Sequence, residues 1–310
     1  GSVIMILLLT NVHPVLDALN LEINTARITQ GYLNAFAWGI PAMLMIMALR
    51  GLTDGLGHTR VIMAFSVLGT LINLPLNYIF IYGKLGLPAM GGIGCGWATS
   101  ISNGVAALAL LIYLNRSAVY RRFHLLADWA KPDAAGIRYI LRLGIPIGFT
   151  IFVEASMFSV IALFLAPLGP VCVAGHQFAL NVVWLVFMLA LSIGMALTLR
   201  VSFLVGAKAP DTARLIARSS LILASAVALV FAVLLFVFAE GIAALYTGER
   251  DVQAVTVTLL VYAAFFQIAD VIQVTCISAL RGYKDTSIPM FIMLFSFWGV
   301  GLPLGWVLTF

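Results

Sequence analysis

Charge is what this sequence has least of: Asp, Glu, Lys and Arg together make up 9% of its 310 residues, against about a quarter in a soluble globular domain. Apolar residues make up 63% and the mean hydropathy is +1.10, which excludes an ordinary soluble protein and leaves a polytopic membrane chain. Cysteine is scarce too. Cys95, Cys172 and Cys276 stand alone with no CxxC or HxxxH spacing, which argues against a metal site or disulfide framework and leaves them as small packing residues. The alternating ten-residue segments of an outer-membrane barrel are missing, so the spans are helices of about 20 residues. The chain opens Gly1-Ser2 and enters an apolar run without a charged n-region or cleavage site. No signal peptide is expected, and the ends read as trimmed or as those of a fragment.

What is present is a series of nine apolar segments, near 3–19, 31–49, 61–82, 93–114, 139–166, 171–199, 215–239, 252–280 and 288–310. Alternating their direction puts all but Arg27, Lys84 and Arg250 of the 17 Lys and Arg residues on one side. That side is the cytoplasm, by the excess of basic residues in cytoplasmic loops. The same excess accounts for the net charge of +5, so no nucleic-acid partner is needed. The polar stretch Asn115 to Tyr139 divides the chain into a first lobe at 1–115, a cytoplasmic linker at 116–138 and a second lobe at 139–310. The basic face of that linker suits anionic headgroups, and a plain solvated linker serves equally well.

An internal repeat supports two lobes. ALRG occurs at Ala48–Gly51 and again at Ala279–Gly282; HTRVIM at His58–Met63 aligns with DTSIPM at Asp285–Met290, and LPLNYIF at Leu74–Phe80 with LPLGWVL at Leu302–Leu308. Repeated halves suit a transporter in which one half rocks against the other. Carried along the chain, the repeat expects twelve helices in the parent, with two absent from the front of this chain and one from its end.

Two carboxylates lie inside apolar runs. Glu154 is twelve residues beyond Arg142 and Asp270 eleven before Arg281, which puts both roughly 16 to 18 Å in from the cytoplasmic end. An acid at that depth costs roughly 2.5 to 3.5 kcal/mol and is kept where it faces a cavity or partner. Two that share a level in low dielectric cannot both ionise cheaply, so the pair is expected to hold a proton or a sodium ion in exchange. Candidates to complete the shell are Gln177 and Asn181, four apart on one helix face, and Gln267 and Gln273 beside Asp270. Gln177 and Asn181 serve equally as hydrogen-bond ties between helices. Sodium favours such an all-oxygen set. Aligned through ALRG, Asp270 corresponds to Gly39, so ion coupling is expected in the second lobe or in helices outside this chain. Trp38, Met43, Met45, Phe149, Phe158 and Met188 are of a kind that lines adaptable pockets for flat organic cations. Pro41, Pro75, Pro146, Pro167 and Pro303 are expected to kink spans or mark their ends. GGIGCG at Gly91–Gly96 lacks the GK[ST] ending of a phosphate loop and reads as a turn with close helix packing. His13, in the incomplete first run, and His58 and His124, near the cytoplasmic surface, read as ordinary residues; His176, at the outer end of its helix, reads as interfacial in preference to a part in a proton path.

The strings GLGHTRVIM, LPLNYIFIYGKLGLPAMGGIGCGWAT, LGIPIGFTIFVEASMF, GHQFALN and ALRGYKDTSIP resemble the multidrug and toxic compound extrusion family, NorM-like branch, over essentially the whole chain. The resemblance implies an all-α transporter of twelve helices in two pseudo-symmetric six-helix lobes, about nine of them present here. It also implies a monomer in the bacterial inner membrane, without enzymatic activity or cofactor, that exports cationic amphipathic drugs in exchange for sodium or protons. Glu154 in IFVEAS and Asp270 in IADVIQ then match the family's second-lobe cation site, with Asn181 in HQFALN nearby. The first helix, which carries a first-lobe acid in that family, is absent, and a non-functional fragment is the competing expectation. A flippase for lipid-linked precursors would want a basic cavity for its anionic cargo, whereas the mid-membrane charges here are acidic. An intramembrane aspartyl protease needs two aspartates on one water; here one acid is Glu154, and the TDG and KDT motifs lie at the cytoplasmic surface.

Overall fold

Backbone polar groups in a bilayer must be satisfied within their own segment, so apolar runs of this length fold as helices. The computed structural model describes residues 2–12, 14, 16, 23–121 and 133–309. His13, His124 and residues 122–132 of the expected linker lie outside the described residues. In chain order the helices are α1 (Ser2–Thr10), α2 (Ile23–Ala37), α3 (Ile40–Gly55), α4 (Thr59–Tyr82), α5 (Gly92–Arg116) and the short α6 (Ala118–Arg121). They continue with α7 (Ala134–Leu165), α8 (Pro170–Gly206), α9 (Pro210–Tyr246), α10 (Arg250–Gly282), α11 (Ser287–Leu294) and α12 (Leu302–Thr309). Seven stretches are long and apolar enough to cross a membrane, and an eighth if α2 and α3 form one span bent by 45°. The expected first segment near 3–19 is represented among the described residues by the nine-residue α1.

The segment expected as one helix near 31–49 is broken at Trp38–Gly39. Pro41, near the start of α3, has no N–H to give to the carbonyl four residues back, and its ring crowds that turn. Pro75 and Pro146, by contrast, sit inside continuous helices. A second departure lies between α11 and α12, where Phe295–Gly301 winds as a π-helix. Pro303 cannot donate to the carbonyl of Gly299, and a wider turn is one way freed carbonyls find donors. Gly299 and Gly301 make the distortion cheap.

Contacts divide the chain into two units, Gly1–Lys131 and Pro132–Phe310. In the first, α2 and α5 run parallel and close: an added Cβ on Gly96 would lie 2.8 Å from the Tyr32 carbonyl oxygen, and Ser100 Oγ donates to the Ala35 carbonyl at 2.7 Å. Gly94 meets the Phe80 backbone on α4 in the same way, so the glycine run that opens α5 serves close packing. At the cytoplasmic end the buried Tyr120 of α6 caps a cluster with Ile62, Leu110 and Leu114. Its hydroxyl hydrogen-bonds His58 Nδ1 at 3.0 Å. Burial, and secondarily Tyr113, push that phenol above its ordinary value.

In the second unit α8 and α10 run parallel along their whole length. Gly175 faces Val255 and Thr256, Gly194 faces Ser278, and Gly282 faces Val201. Small residues let the two backbones approach, and hydroxyls tie them: Thr198 Oγ1 donates to the Ser278 carbonyl at 2.8 Å and Ser202 Oγ to that of Gly282 at 3.3 Å. Helix α9 packs antiparallel against both through an alanine stripe at Ala224, Ala228, Ala232 and Ala239. Its opposite face, with Val230, Val233 and Val237, is exposed.

Candidate functional site

Glu154 and Asp270 line one cavity in the second unit, together with Phe158, Leu180, Val183, Trp184, Phe187 and Phe266. The helices explain the grouping. Phe158 lies one turn beyond Glu154 on α7 and Phe266 one turn before Asp270 on α10, so each acid is flanked by a ring on its own face. Helix α8 supplies the third wall, where Trp184 packs on Phe158 at 5.8 Å and edge-on to Phe187 at 5.3 Å. Asp270 is 6% exposed, Glu154 is half-buried, and the two carboxylates are near enough to interact electrostatically. The cavity has a volume of about 20 Å³, enough for one water-sized guest. Two carboxylates offer up to four acceptor oxygens and no donor when ionised, so a small cation or a proton is the guest this chemistry selects; a drug-sized molecule does not fit.

The other sequence candidates are placed differently. Gln177 and Asn181 are exposed on α8, where Asn181 Nδ2 donates to the Gln177 carbonyl of its own helix at 3.1 Å. Gln273 Nε2 donates to Met293 Sδ at 3.0 Å, a tie between α10 and α11. None of the three lines the acid cavity. Gln267 is fully buried, and neither its Nε2 nor its Oε1 has a hydrogen-bond partner among the described residues. It lies one turn before Asp270, in the buried stripe of α10 that also carries Leu260 and Ala264. Of the larger candidates only Phe158 lines the cavity, whereas Trp38, Met43, Phe149 and Met188 are exposed.

Two features went unread in the sequence. Arg281, treated above as an interfacial anchor, is half-buried and interacts electrostatically with Glu154. In the first unit, a cavity of about 330 Å³ between α3, α4 and α5 is lined by Ser66, Thr70, Asn73, Thr99, Ser102 and Asn103 among apolar neighbours. Asn73 Nδ2 donates to Ser102 Oγ at 3.2 Å and Asn77 Nδ2 to Asn73 Oδ1 at 2.7 Å. The available signal was the pair of asparagines four apart inside an apolar run.

Comparison with known proteins gives a concordant picture. The MatE family model matches residues 1–79 and 146–307. The multidrug resistance protein PmpM of Pseudomonas aeruginosa is 44% identical over 277 residues, covering 89% of this chain and 58% of that protein. A probable multidrug resistance protein NorM of Shewanella oneidensis is 40% identical over 313 residues, covering the whole chain and 68% of its own length. The chain thus spans between 58% and 68% of these two relatives. Among solved structures, a Vibrio cholerae MATE transporter, VcmN, superposes with a TM-score of 0.88 at 20% identity, over 99% of this chain and 68% of that one. A eukaryotic MATE transporter gives 0.85 at 18% identity, over 97% and 66%. Those likenesses establish the fold. With the helical spans, the family match and the bacterial relatives together, this is a multi-pass protein of the bacterial inner membrane, and it belongs to the MatE family, whose members are membrane transporters and not enzymes.

Proposed function

We propose that the chain is the greater part of a secondary-active multidrug efflux antiporter, which exports cationic amphipathic compounds in exchange for sodium or protons by alternating access. Glu154 and Asp270 are its cation-coupling pair, with Gln267 beside them as a buried polar neighbour and with no further cofactor. The reading rests on one observation: both mid-membrane acids line one water-sized cavity walled by aromatic rings. Two interacting carboxylates in such a site change their joint charge when a cation enters or leaves, and that change is what an antiporter couples to movement. The names of the relatives support drugs as cargo. Asn181, exposed on α8, remains a candidate for the drug path instead of the ion shell.

The test uses the full-length gene product in inverted vesicles loaded with an ethidium-type cation. Wild type is compared with Glu154→Gln and Asp270→Asn, with and without sodium and across a pH gradient. Export driven by either ion in wild type and lost in both variants supports the reading; variants that export like wild type refute it.

A further inference from the structure

Glu154 stands on a helix whose rotation its own sequence does not fix. α7 is 32 residues long and buries Thr150 and Val153, and a span that is apolar nearly all round has no preferred face in lipid. A carboxylate that must meet Asp270 needs α7 held about its axis. Such a hold comes from Phe295–Gly301, the π-helical turn between α11 and α12. Trp298 Nε1 donates to Ser156 Oγ at 3.3 Å, and Ser156 Oγ donates in turn to the Val153 carbonyl at 2.9 Å. This relay spans the residues on either side of Glu154. Ser156 lies about 200° round the helix from Glu154, so the indole grips the turn from behind while the acid faces the cavity.

That position is unusual for tryptophan. Trp298 is eleven residues from Ser287, the start of α11, or roughly 16 Å along the span, below the interfacial belt where tryptophans collect. In the bilayer core an indole N–H has to find a protein acceptor. The π-helix is equally particular to this place. Pro75 in LPLNYIF stands where Pro303 stands in LPLGWVL, yet α4 runs through Pro75 as an ordinary α-helix. A proline alone therefore does not widen the turn, and π-turns inside helices are frequent at functional sites. Here the widened turn lies against α7: a Cβ on Gly301 would come within 3.5 Å of Met157 Cε, and Trp306, farther on in α12, packs edge-on to Phe164 at 5.2 Å.

We infer that the π-helical turn is a positioning device for Glu154, and that Trp298 is the residue through which it acts, setting the rotation of α7 that presents Glu154 to the cavity shared with Asp270. This rests on the proposed coupling role of that pair. Trp298 does not line the acid cavity; it works through Ser156. Without its N–H, α7 is free to turn, the two carboxylates share the cavity for less of the time, and the cation is held more weakly.

The experiment titrates dye export by the full-length gene product in inverted vesicles against sodium at fixed pH, and against pH without sodium, with membrane levels matched by immunoblot. It compares wild type with Trp298→Phe, which keeps a ring and loses the N–H, Ser156→Ala, which loses the acceptor, the double variant, and Ser156→Thr, which keeps the hydroxyl. Thr198→Val, which removes a tie of α8 to α10, is the control for packing alone. Trp298→Phe and Ser156→Ala are each expected to raise the half-saturating concentration of the driving cation roughly 3- to 20-fold, the range that one interhelical hydrogen bond in a membrane commands, with the maximal rate kept. The double variant should shift no farther than either single one, and Ser156→Thr should stay near wild type. A Trp298→Phe curve equal to wild type, an equal shift in Thr198→Val, or summed shifts in the double variant overturns the inference. Where Trp298→Phe fails to reach the membrane, Ser156→Ala against Ser156→Thr decides by the same criterion. Parallel Glu154→Gln vesicles separate the two claims: if that variant still couples, the proposed site itself fails, whereas if it loses coupling while Trp298→Phe and Ser156→Ala are silent, only the positioning role fails.

Discussion

The two units use one sequence template for different ends, most plainly where α2 and α3 are set against α10. Aligned through ALRG, Gly39 falls where α10 has Asp270. In the first unit that position is the break between α2 and α3, buried against Ser100. In the second the helix runs unbroken from Arg250 to Gly282 and presents a carboxylate to a cavity. The same holds at the motif's final glycine. Gly51 has nothing within 4 Å of where a Cβ would be, whereas one on Gly282 would lie 2.7 Å from Val201 Cβ. Farther on, α4 continues through Pro75 and lines a neutral polar cavity, while its counterpart loosens into a π-helix before Pro303. There Trp298 Nε1 donates to Ser156 Oγ at 3.3 Å, beside the turn that carries Glu154. A broken helix and a neutral amide cavity characterise the first unit, and an unbroken α10 that presents an acid to a cavity characterises the second.

The largest way to break that contrast is to neutralise the acids. Glu154→Gln or Asp270→Asn is expected to abolish cation-coupled export, whereas Asn73→Ala in the first unit should leave the sodium or pH dependence in place and alter mainly the drug concentration for half-maximal export. Vesicle assays with both variables scanned check this. The next test moves the acid across. Gly39→Asp should not create a second cation site, because its Cβ would meet Ser100 Oγ at 2.7 Å and the Ser100 backbone at 2.8 Å. It should instead destabilise the protein by about 1 to 3 kcal/mol, as overpacking does, read as a lower melting temperature in detergent.

Glycine exchange gives a matched pair. Gly282→Ala should cost about 1 to 3 kcal/mol by forcing α8 and α10 apart, while Gly51→Ala, into open space, should stay within about 0.5 kcal/mol. Equal effects would mean that the two ALRG motifs are packed alike. Smallest is the loss of a single hydroxyl tie: Ser100→Ala and Thr198→Val should each cost about 0.6 kcal/mol, the usual size of an interhelical hydrogen bond in a membrane. Thermal melts on the same preparation measure both.

Much of this was legible because charge is so rare in the chain. Two acids in apolar runs stand out by composition alone, and counting residues from the flanking arginines placed them at one depth; both prove to line one cavity. What hydropathy could not supply was the rotation of each helix about its axis, since a span that is apolar all round gives no preferred face. Gln177 and Asn181 were grouped with the acids as polar residues sharing one helix face, yet neither lines the cavity, and Gln273 is taken up by Met293. The break at Trp38–Gly39 was hidden for a related reason. Pro41, Pro75 and Pro146 look equivalent in sequence, and only the packing of Gly39 on Ser100 separates a broken helix from two continuous ones. Arg281 read as an anchor because an arginine at a helix end usually is one; its half-burial appears only in three dimensions.

The central claim, that Glu154 and Asp270 form one cation site, is most directly tested by carbodiimide labelling of the full-length protein in membranes, with peptide mass spectrometry to locate the modified carboxyl. The account predicts labelling at one or both acids that falls as sodium or pH is raised, and labelling of each that changes when the other is neutralised. Labelling of Glu154 that ignores Asp270→Asn, sodium and pH alike would contradict it.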